Sequence, residues 1–311
     1  MAGILKRLVR GFFWPHSRSG RIRMLVAAGL LVVLAIAGCG SANRMFYWPN
    51  RQQYNDPARE GVAYENVTFA AADGTRLHGW FIPAQPGPPR ATIIYFHGNA
   101  QNLTAHYEFV SWLPREGYNV FLFDYRGFGR SEGEVTREGT FLDSVAALEY
   151  VRSRSDVDAG RLLAFGQSLG GACLLAALGE TDPHQVRGLA LESTFHSYQG
   201  VARAHLAANW YTWPLQPLAW WLVTDEHCPS RSLQRLAGVP MLVMHGDADE
   251  IVPFSQGRTL YDRAPGPKRF VHVPGGTHCE GTGGYASADR DRYRRQLLDF
   301  FDECLVERSN E

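Results

Sequence analysis

Apolar runs of strand length alternate with helical patterns from about residue 62 onward. Segments 65–71 and 77–83 are joined by an Asp-Gly pair at 73–74, a dipeptide that favours a hairpin turn. Helical periodicity lies between later runs, for example at 140–153 and 296–305. Continuous apolar runs, typical of strands covered on both faces, are 91–96, 119–124, 161–166, 187–192, 240–245 and 269–273. This alternation predicts an α/β fold with a mostly parallel central sheet and helices on both faces.

One insertion interrupts the alternation. About 45 residues separate Glu192 from Val239, which is too long for a simple connection. We expect a helical cap at about 195–237, over the carboxyl edge of the sheet. The tryptophans and leucines at 210–222 indicate an apolar acyl or aromatic pocket, or equally the packing of a cap on its core.

The predicted organisation has one large domain. A signal peptide or membrane anchor occupies 1–38, an irregular leader 39–61, the α/β domain 62–305 and a short tail 306–311. With 45% hydrophobic and 20% charged residues, the composition is that of a globular protein. A domain of this size buries enough apolar surface to fold without a disulfide or a metal.

The formal net charge of zero is unevenly distributed. Residues 1–38 contain no acidic residue, and the remainder keeps 25 basic residues against 31 acidic ones. Nucleic acid is therefore not an expected partner, since phosphate binding needs a basic footprint. The N-terminal basic residues are Lys6, Arg7, Arg10, Arg18, Arg21 and Arg23.

An uncharged apolar run follows these basic residues at 24–38, which is the pattern of an export signal. The run ends in Ile-Ala-Gly-Cys at 36–39. This sequence resembles the lipobox of bacterial lipoproteins. The resemblance implies that Cys39 is lipidated and becomes the mature N-terminus.

Two alternatives to lipidation stay open. The uncharged stretch reaches Asn43, and its 20 residues are enough for a membrane-spanning anchor. Cys39 could also be incidental. The Gly, Ser and Asn residues at 40–43 are poor membrane fillers, which favours the lipoprotein. In both the lipoprotein and the anchor interpretation, the basic segment stays on the cytoplasmic side of the membrane. The α/β domain is then expected outside the cytoplasm, in a bacterial cell envelope.

An oxidising compartment would permit disulfides. Four cysteines besides Cys39 allow up to two bridges. Cys173 lies among apolar residues, so we expect a buried free thiol there. A bridge between Cys228 and Cys279 is one hypothesis, and Cys304 completes the set.

The motif G-Q-S-L-G at 166–170 places Ser168 between a strand and a helical run. The G-x-S-x-G pattern is typical of a strained turn that exposes a nucleophilic serine, with glycines where the chain passes close by. The start of the following helix directs N–H groups towards a developing oxyanion. A chance Gly-Ser-Gly loop is the alternative, but the flanking strand and helix favour the nucleophile.

An acid and then a histidine should follow such a serine along the chain. Asp247, Asp249 and Glu250 all lie after the apolar run 240–245 and compete for the role of the acid. His278 follows the last strand in a glycine-rich loop and is the candidate base. His272 lies within a strand and is expected to be packed, whereas His97 and His245 each end a strand and are expected to be structural rather than basic catalysts.

Backbone N–H groups are expected to complete the site. In this architecture the loop after the third strand and the residue after the nucleophile form the oxyanion hole, which assigns Asn99 and Leu169. The role belongs to the backbone, so the side chain of Asn99 is expected to matter little. The sequence contains no metal-ligand motif and no phosphate-binding loop, so no cofactor is predicted.

Five motifs in order resemble the α/β-hydrolase superfamily: H-G-N at 97–99, D-Y-R-G-F-G-R-S at 124–131, G-Q-S-L-G-G at 166–171, H-G-D-A-D-E-I-V-P at 245–253 and G-T-H at 276–278. Within it they are most similar to the Bem46-like group and to mammalian depalmitoylating hydrolases. The resemblance covers about 45–305 and selects Asp249 as the acid. It implies hydrolysis of ester or thioester bonds without a cofactor. The tryptophan-rich cap and the lipobox depart from the family.

The resulting hypothesis is two-step acyl transfer on Ser168 with Asp249 and His278. The expected partners are a small ester or acyl substrate and a membrane. A serine aminopeptidase-like peptidase is one alternative. A lipid-anchored binding protein that keeps a hydrolase scaffold without its activity is another.

Overall fold

A twisted sheet with helices on both faces organises the chain. The computed structural model describes residues 20, 22–26, 29, 43–282 and 289–306. Within them the strands are β1 (Trp48–Pro49), β2 (Glu65–Ala70), β3 (Arg76–Ile82), β4 (Ala91–Phe96), β5 (Ala100–Gln101), β6 (Tyr118–Phe123), β7 (Leu162–Gln167), β8 (Gly188–Glu192), β9 (Met241–Gly246) and β10 (Lys268–Val273). The helices are α1 (Leu103–Val110), α2 (Arg137–Ser153), α3 (Leu169–Glu180), α4 (Tyr198–Ala207), α5 (Gln216–Leu222), α6 (Pro229–Ser232), α7 (Phe254–Arg263) and α8 (Arg290–Leu305).

Eight of these strands form one sheet in the order β10-β9-β8-β7-β4-β6-β3-β2. Strand β3 is antiparallel to β2 and β6, and the other neighbours are parallel. The predicted α/β-hydrolase fold is confirmed. The carboxyl ends of β7, β8 and β9 lie at the same edge of the sheet. In open α/β sheets, ligand sites commonly lie at this edge, near the point where the strand order reverses.

Two apolar layers bury the sheet. On one face, helices α2 and α3 pack with residues such as Leu148 and Leu174, which are fully buried. On the other face, α1 and α8 contribute Tyr107 and Phe301. Strands β4, β6, β7 and β8 are buried at every position, which is why they show as unbroken apolar runs.

Several element boundaries differ from the sequence prediction. Helix α2 begins three residues before the predicted start, because Thr136 caps it by accepting a hydrogen bond from the Gly139 N–H. Helix α8 begins at Arg290 rather than 296. Its polar first turns hide the helical pattern.

The leader is more ordered than predicted. Strand β1 pairs in parallel with β5. The side-chain amide of Asn102 donates hydrogen bonds to the backbone oxygens of Asn50 and Gln52 at 3.2 and 2.7 Å. Tyr47 is buried in the same core as α2 and α3. Long-range polar contacts therefore fix a segment that has no periodic pattern of its own.

The hypothesis of a Cys228–Cys279 bridge is wrong, because both are free thiols. Cys228 precedes α6, and its sulfur lies 2.7 Å from Ser230 Oγ. Cys279 follows His278 in the loop between β10 and α8, and its N–H donates to Ser193 Oγ at 2.9 Å. Each thiol is buried among its own neighbours. The predicted free thiol of Cys173 is confirmed, and burial raises its pKa to about 12.

The insertion between β8 and β9 contains helices α4, α5 and α6. Cys39 and most of the segment 1–38 lie outside the described residues. Among the helices that are described, none combines the length and the apolar character needed to cross a membrane.

Candidate active site

Ser168 occupies a sharp turn between β7 and α3. Its φ of 51° is positive, a strained backbone conformation for a residue with a side chain. Neighbouring glycines make the turn possible. A Cβ on Gly170 would lie 2.0 Å from the carbonyl oxygen of Phe96, and one on Gly166 would lie 2.6 Å from Gly171 Cα. The motif thus reflects steric necessity at a crossing of two chain segments.

Hydrogen bonds hold the Ser168 backbone in place. Its N–H donates to the Glu192 carbonyl at 2.9 Å. Its carbonyl accepts from Thr194 Oγ1 at 2.7 Å and from the Gly171 N–H at 3.1 Å. Helix α3 begins at the next residue, so its unpaired N–H groups and positive dipole end lie beside the serine.

The buried Asp249 pairs with the half-buried His278. His278 Nδ1 lies 2.8 Å from Oδ2 and 3.0 Å from Oδ1 of the carboxylate. Because an ionised carboxylate only accepts hydrogen bonds, Nδ1 carries the proton and Nε2 is free to accept one. Oδ1 also accepts from the N–H groups of Ile251 and Val252, at 2.9 and 2.8 Å.

Burial alone would raise the pKa of Asp249. Hydrogen bonds from His245 and His278 outweigh burial and hold the pKa well below its ordinary value. His245 itself is fully buried, and its Nε2 lies 2.9 Å from the Val252 carbonyl and 3.4 Å from Asp249 Oδ2. This histidine, expected to be structural, supports the acid loop.

The competing carboxylates separate in space. Asp247 is exposed and binds His272 Nε2 at 2.9 Å and the Gly275 N–H at 2.6 Å. Glu250 is also exposed. His272 was expected to be packed, but 47% of its side chain is exposed. The reason is that β10 is an edge strand. His97, in contrast, is completely buried against Tyr125.

Two residues at the end of β8 clamp the His278 loop. Ser193 Oγ accepts from the Cys279 N–H, and Glu192 Oε1 accepts from the Thr282 N–H at 2.9 Å. Glu192 is buried and also accepts a hydrogen bond from Gln167 Nε2 at 2.7 Å. This network was not predicted from the sequence. Its one signal is a carboxylate at the end of an otherwise apolar run.

Asn99 and Leu169 line the cavity that contains Ser168 and His278. The side chain of Asn99 has a contact that was not foreseen, because its Oδ1 accepts a hydrogen bond from the Trp48 N–H at 2.9 Å. The leader is thereby attached directly to the loop after β4. A change of the Asn99 side chain would alter this attachment even where its backbone alone takes part in chemistry.

This cavity has a volume of about 850 Å³ and lies between the sheet edge, the cap helices and the leader. The described residues that line it include no Asp, Glu, Lys or Arg. His106, which was also missed, lies on its wall. Burial lowers the pKa of His106 to about 4, so the ring is neutral near pH 7. Apolar walls come chiefly from Met45, Phe46, Trp48, Phe109, Phe195, Val201, Leu206, Leu215, Leu218, Leu222, Val223 and Ile251.

A second cavity, of about 760 Å³, lies at the opposite edge of the sheet, before β8, β9 and β10. It includes none of Ser168, Asp249 and His278. In the described part of the chain no cluster of three or more His, Cys, Asp and Glu residues is arranged to hold a metal ion.

Known proteins share both sequence and fold with this chain. The family Hydrolase_4, described as serine aminopeptidase S33, matches residues 87–237. The uncharacterized protein YfhR of Escherichia coli K12 is 39% identical over 89% of this chain and 94% of its own length. The α/β hydrolase domain-containing protein WAV2 of Arabidopsis thaliana is 34% identical, over 72% of this chain and 75% of WAV2.

Protein bem46 of Schizosaccharomyces pombe is 28% identical, over 75% of this chain and 78% of its own. Among solved structures, the Pyrococcus furiosus esterase Pf2001 superposes with a TM-score of 0.64 at 20% identity, covering 83% of this chain and 97% of the esterase. At that identity the likeness concerns the fold alone.

Proposed function

Because the chain belongs to the α/β-hydrolase superfamily, in its Bem46-like group, we propose that it is a serine hydrolase of carboxylic esters or thioesters. One observation carries the proposal. Ser168 and His278 line a single apolar cavity, and the buried Asp249 binds Nδ1 of that histidine. Such an arrangement suits nucleophilic catalysis, in which a serine is activated by an oriented imidazole.

In the first half-reaction, Ser168 Oγ attacks the carbonyl carbon while His278 Nε2 accepts the hydroxyl proton. Asp249 stabilises the imidazolium through Nδ1. The carbonyl oxygen becomes an oxyanion, which the backbone N–H groups of Asn99 and Leu169 would bind, each contributing roughly 3 kcal/mol. As the tetrahedral intermediate collapses, His278 returns the proton to the leaving alcohol or thiol, and the acyl group stays on Ser168.

In the second half-reaction, water replaces the leaving group. His278 Nε2 takes a proton from water, and the hydroxyl attacks the acyl-enzyme carbonyl. Collapse breaks the bond to Ser168 Oγ, which regains its proton from His278. The products are a carboxylic acid and the free enzyme, so the cycle needs no cofactor.

An apolar acyl chain is the substrate group that this cavity fits. With p-nitrophenyl esters of increasing length, we expect kcat/KM to rise with each methylene until chains exceed about eight carbons. Burying one methylene is worth about 0.8 kcal/mol, or roughly fourfold in kcat/KM. The measurement is initial-rate hydrolysis of the series, with each ester kept below its critical micelle concentration. Equal rates for acetate and decanoate would contradict an apolar acyl site.

A peptidase is the second candidate, favoured by the description of the matching family. An aminopeptidase needs a negative group for the substrate ammonium, and the described lining residues provide none. Aminoacyl p-nitroanilides should therefore be hydrolysed much more slowly than the esters. A faster rate with the anilides would reverse the assignment.

We also propose that the protein is exported and tethered to a bacterial envelope membrane through a lipid on Cys39. The basic segment, the apolar run and the Ile-Ala-Gly-Cys sequence at 36–39 support this. Cells fed labelled palmitate should yield a labelled wild-type protein and an unlabelled Cys39→Ala variant. Cys173→Ala, at a buried thiol, is the matched control and should stay labelled. Label that persists in Cys39→Ala, or a wild type without label, would contradict lipidation at this residue.

A further inference from the structure

An aromatic stretch of the cap carries few charges, and the one guanidinium at its border, that of Arg203, packs over the Trp220 ring at 4.6 Å from its centre. From 204 to 224 the sequence contains no Asp, Glu, Lys or Arg. Exposed protein surface ordinarily carries many such residues, so this stretch is unusual. Trp210 is 88% exposed and Trp221 is 67% exposed. The cap aromatic surface, as we define it, consists of Trp210, Tyr211, Trp213, Trp220 and Trp221, all of which are exposed.

Helix α5 is apolar on two sides. Leu215 precedes the helix and, with Leu218 and Leu222, follows helical spacing along the wall of the cavity above Ser168. Trp220 and Trp221 lie between these positions and are exposed. One short helix thus separates the cavity from the cap aromatic surface. Molecules that contact the cap aromatic surface are therefore close to the rim of the cavity.

The leader residue Asn43, four positions after the proposed lipid attachment point, is held close to the end of α5. Asn43 Nδ2 donates to Thr224 Oγ1 at 3.0 Å, and the Thr224 N–H donates to Asn43 Oδ1 at 3.2 Å. Thr224 is two residues beyond the end of α5. Cys39 is only four residues before Asn43, which limits their separation to roughly 14 Å. The lipid attachment point proposed at Cys39 is therefore tied by a short stretch of chain to a position close to the end of α5, which carries part of the cap aromatic surface.

Contact with a phospholipid bilayer explains these features better than exposure to water does. Tryptophan and tyrosine concentrate at the membrane–water interface, where an apolar ring and a polar N–H or O–H are both satisfied. Charged side chains are costly where a surface reaches the acyl-chain region, and the segment 204–224 contains none. Asn43 is fixed beside this surface and lies four residues after the proposed membrane attachment at Cys39. The bilayer is therefore a better candidate than a second protein for covering the surface.

We propose that the cap aromatic surface docks on a phospholipid bilayer and that acylated substrate enters the cavity from the lipid phase. The route of the substrate rests on the hydrolase function proposed above, whereas the docking does not. In the docked state the four cap tryptophans lie at the level of the lipid headgroups and upper acyl chains.

The test measures whether the cap tryptophans contact lipid. The full chain is reconstituted into phosphatidylcholine vesicles with or without lipid brominated on the acyl chain, a contact quencher of tryptophan fluorescence. The quenched fraction in the wild type should be about twice that of a variant in which Trp210, Trp213, Trp220 and Trp221 are all phenylalanine. Phenylalanine removes the reporter and keeps the surface apolar. Trp112→Phe, outside the cap, is the matched control and should not lower the quenched fraction.

Equal quenched fractions in the wild type and the four-phenylalanine variant would overturn the docking. Concentration-dependent dimerisation that shields the cap tryptophans from acrylamide, without bromolipid quenching, would also overturn it, since the occupant would be a second copy. The quenching is repeated with Ser168→Ala, where it should be unchanged. Quenching without esterase activity in the wild type would refute the hydrolase function alone, and activity without quenching would refute the docking alone.

Discussion

Replacing Ser168 by alanine should abolish labelling by a fluorophosphonate probe and lower kcat/KM for a p-nitrophenyl ester by about 10⁴- to 10⁶-fold. The physical reason is that the serine oxygen is the atom that bonds to the substrate carbon. An alanine at this turn leaves the oxyanion donors and the cavity in place but offers no nucleophile. The residual rate would come from water positioned by His278 and those donors.

The matched control for this change is Ser153→Ala, at the exposed end of α2. It should keep full labelling and full activity. Both variants should unfold at nearly the wild-type temperature, because neither loses a buried contact of note. Labelling that survives in Ser168→Ala would assign the nucleophile elsewhere. A wild type that resists the probe would favour the alternative of a binding protein on a hydrolase scaffold.

The sheet was predictable because its strands are buried on both faces. In β4, for instance, all six residues are buried and the predicted and observed bounds coincide. Where polar residues flank a strand the ends shift by one position, as at β7, which includes the buried polar Gln167. Burial strongly favours apolar residues, so the buried part of a strand is visible in the sequence. Backbone hydrogen bonding at the end of a strand favours no residue type, so the exact end is not.

The chain order of the candidate site residues was also predictable, since G-x-S-x-G and the acid loop are short and each follows a strand. The contacts that hold the site residues in place were not predictable. Glu192 contacts Thr282 across 90 positions of sequence. Asn99 holds Trp48 in a leader that has no periodicity. Such pairs arise from tertiary packing, and either partner alone is an ordinary polar residue in a loop.

The exposure of His272 illustrates the same limit. A histidine within an apolar strand is buried if the strand is central and half-exposed if it lies at the edge. Strand β10 is the last in the sheet order, and this position depends on topology rather than on the local pattern. Strand β10 pairs with β9 alone, and His272 is left half-exposed, with Asp247 of the loop after β9 as its hydrogen-bond partner.

Asp249→Asn should lower kcat for ester hydrolysis by about 10⁴-fold, with little change in KM. An asparagine cannot stabilise the imidazolium that forms on His278, and its amide favours the wrong tautomer of the ring. Because the pKa of Asp249 is depressed in the folded protein, its charge contributes stability above the ordinary aspartate pKa of about 3.9, and this contribution is lost as the pH falls further. The free energy of unfolding should therefore differ between wild type and variant at pH 7, and the difference should narrow at pH values below about 4.

Asp247→Asn, two residues away, separates catalysis from a general effect on the loop. The Asp247 carboxylate is exposed and accepts hydrogen bonds from His272 and from the Gly275 N–H, neither of which reaches Ser168, so kcat should stay within about threefold of wild type. Stopped assays over the pH range give kcat, and urea unfolding gives the stability of each variant. Similar losses in the two variants would mean that the acid loop tolerates no change, and Asp249 would lose its assigned role. The two aspartates lie in the same loop but bind different histidines. A large loss of kcat in Asp249→Asn alone would therefore indicate that the buried carboxylate acts through His278.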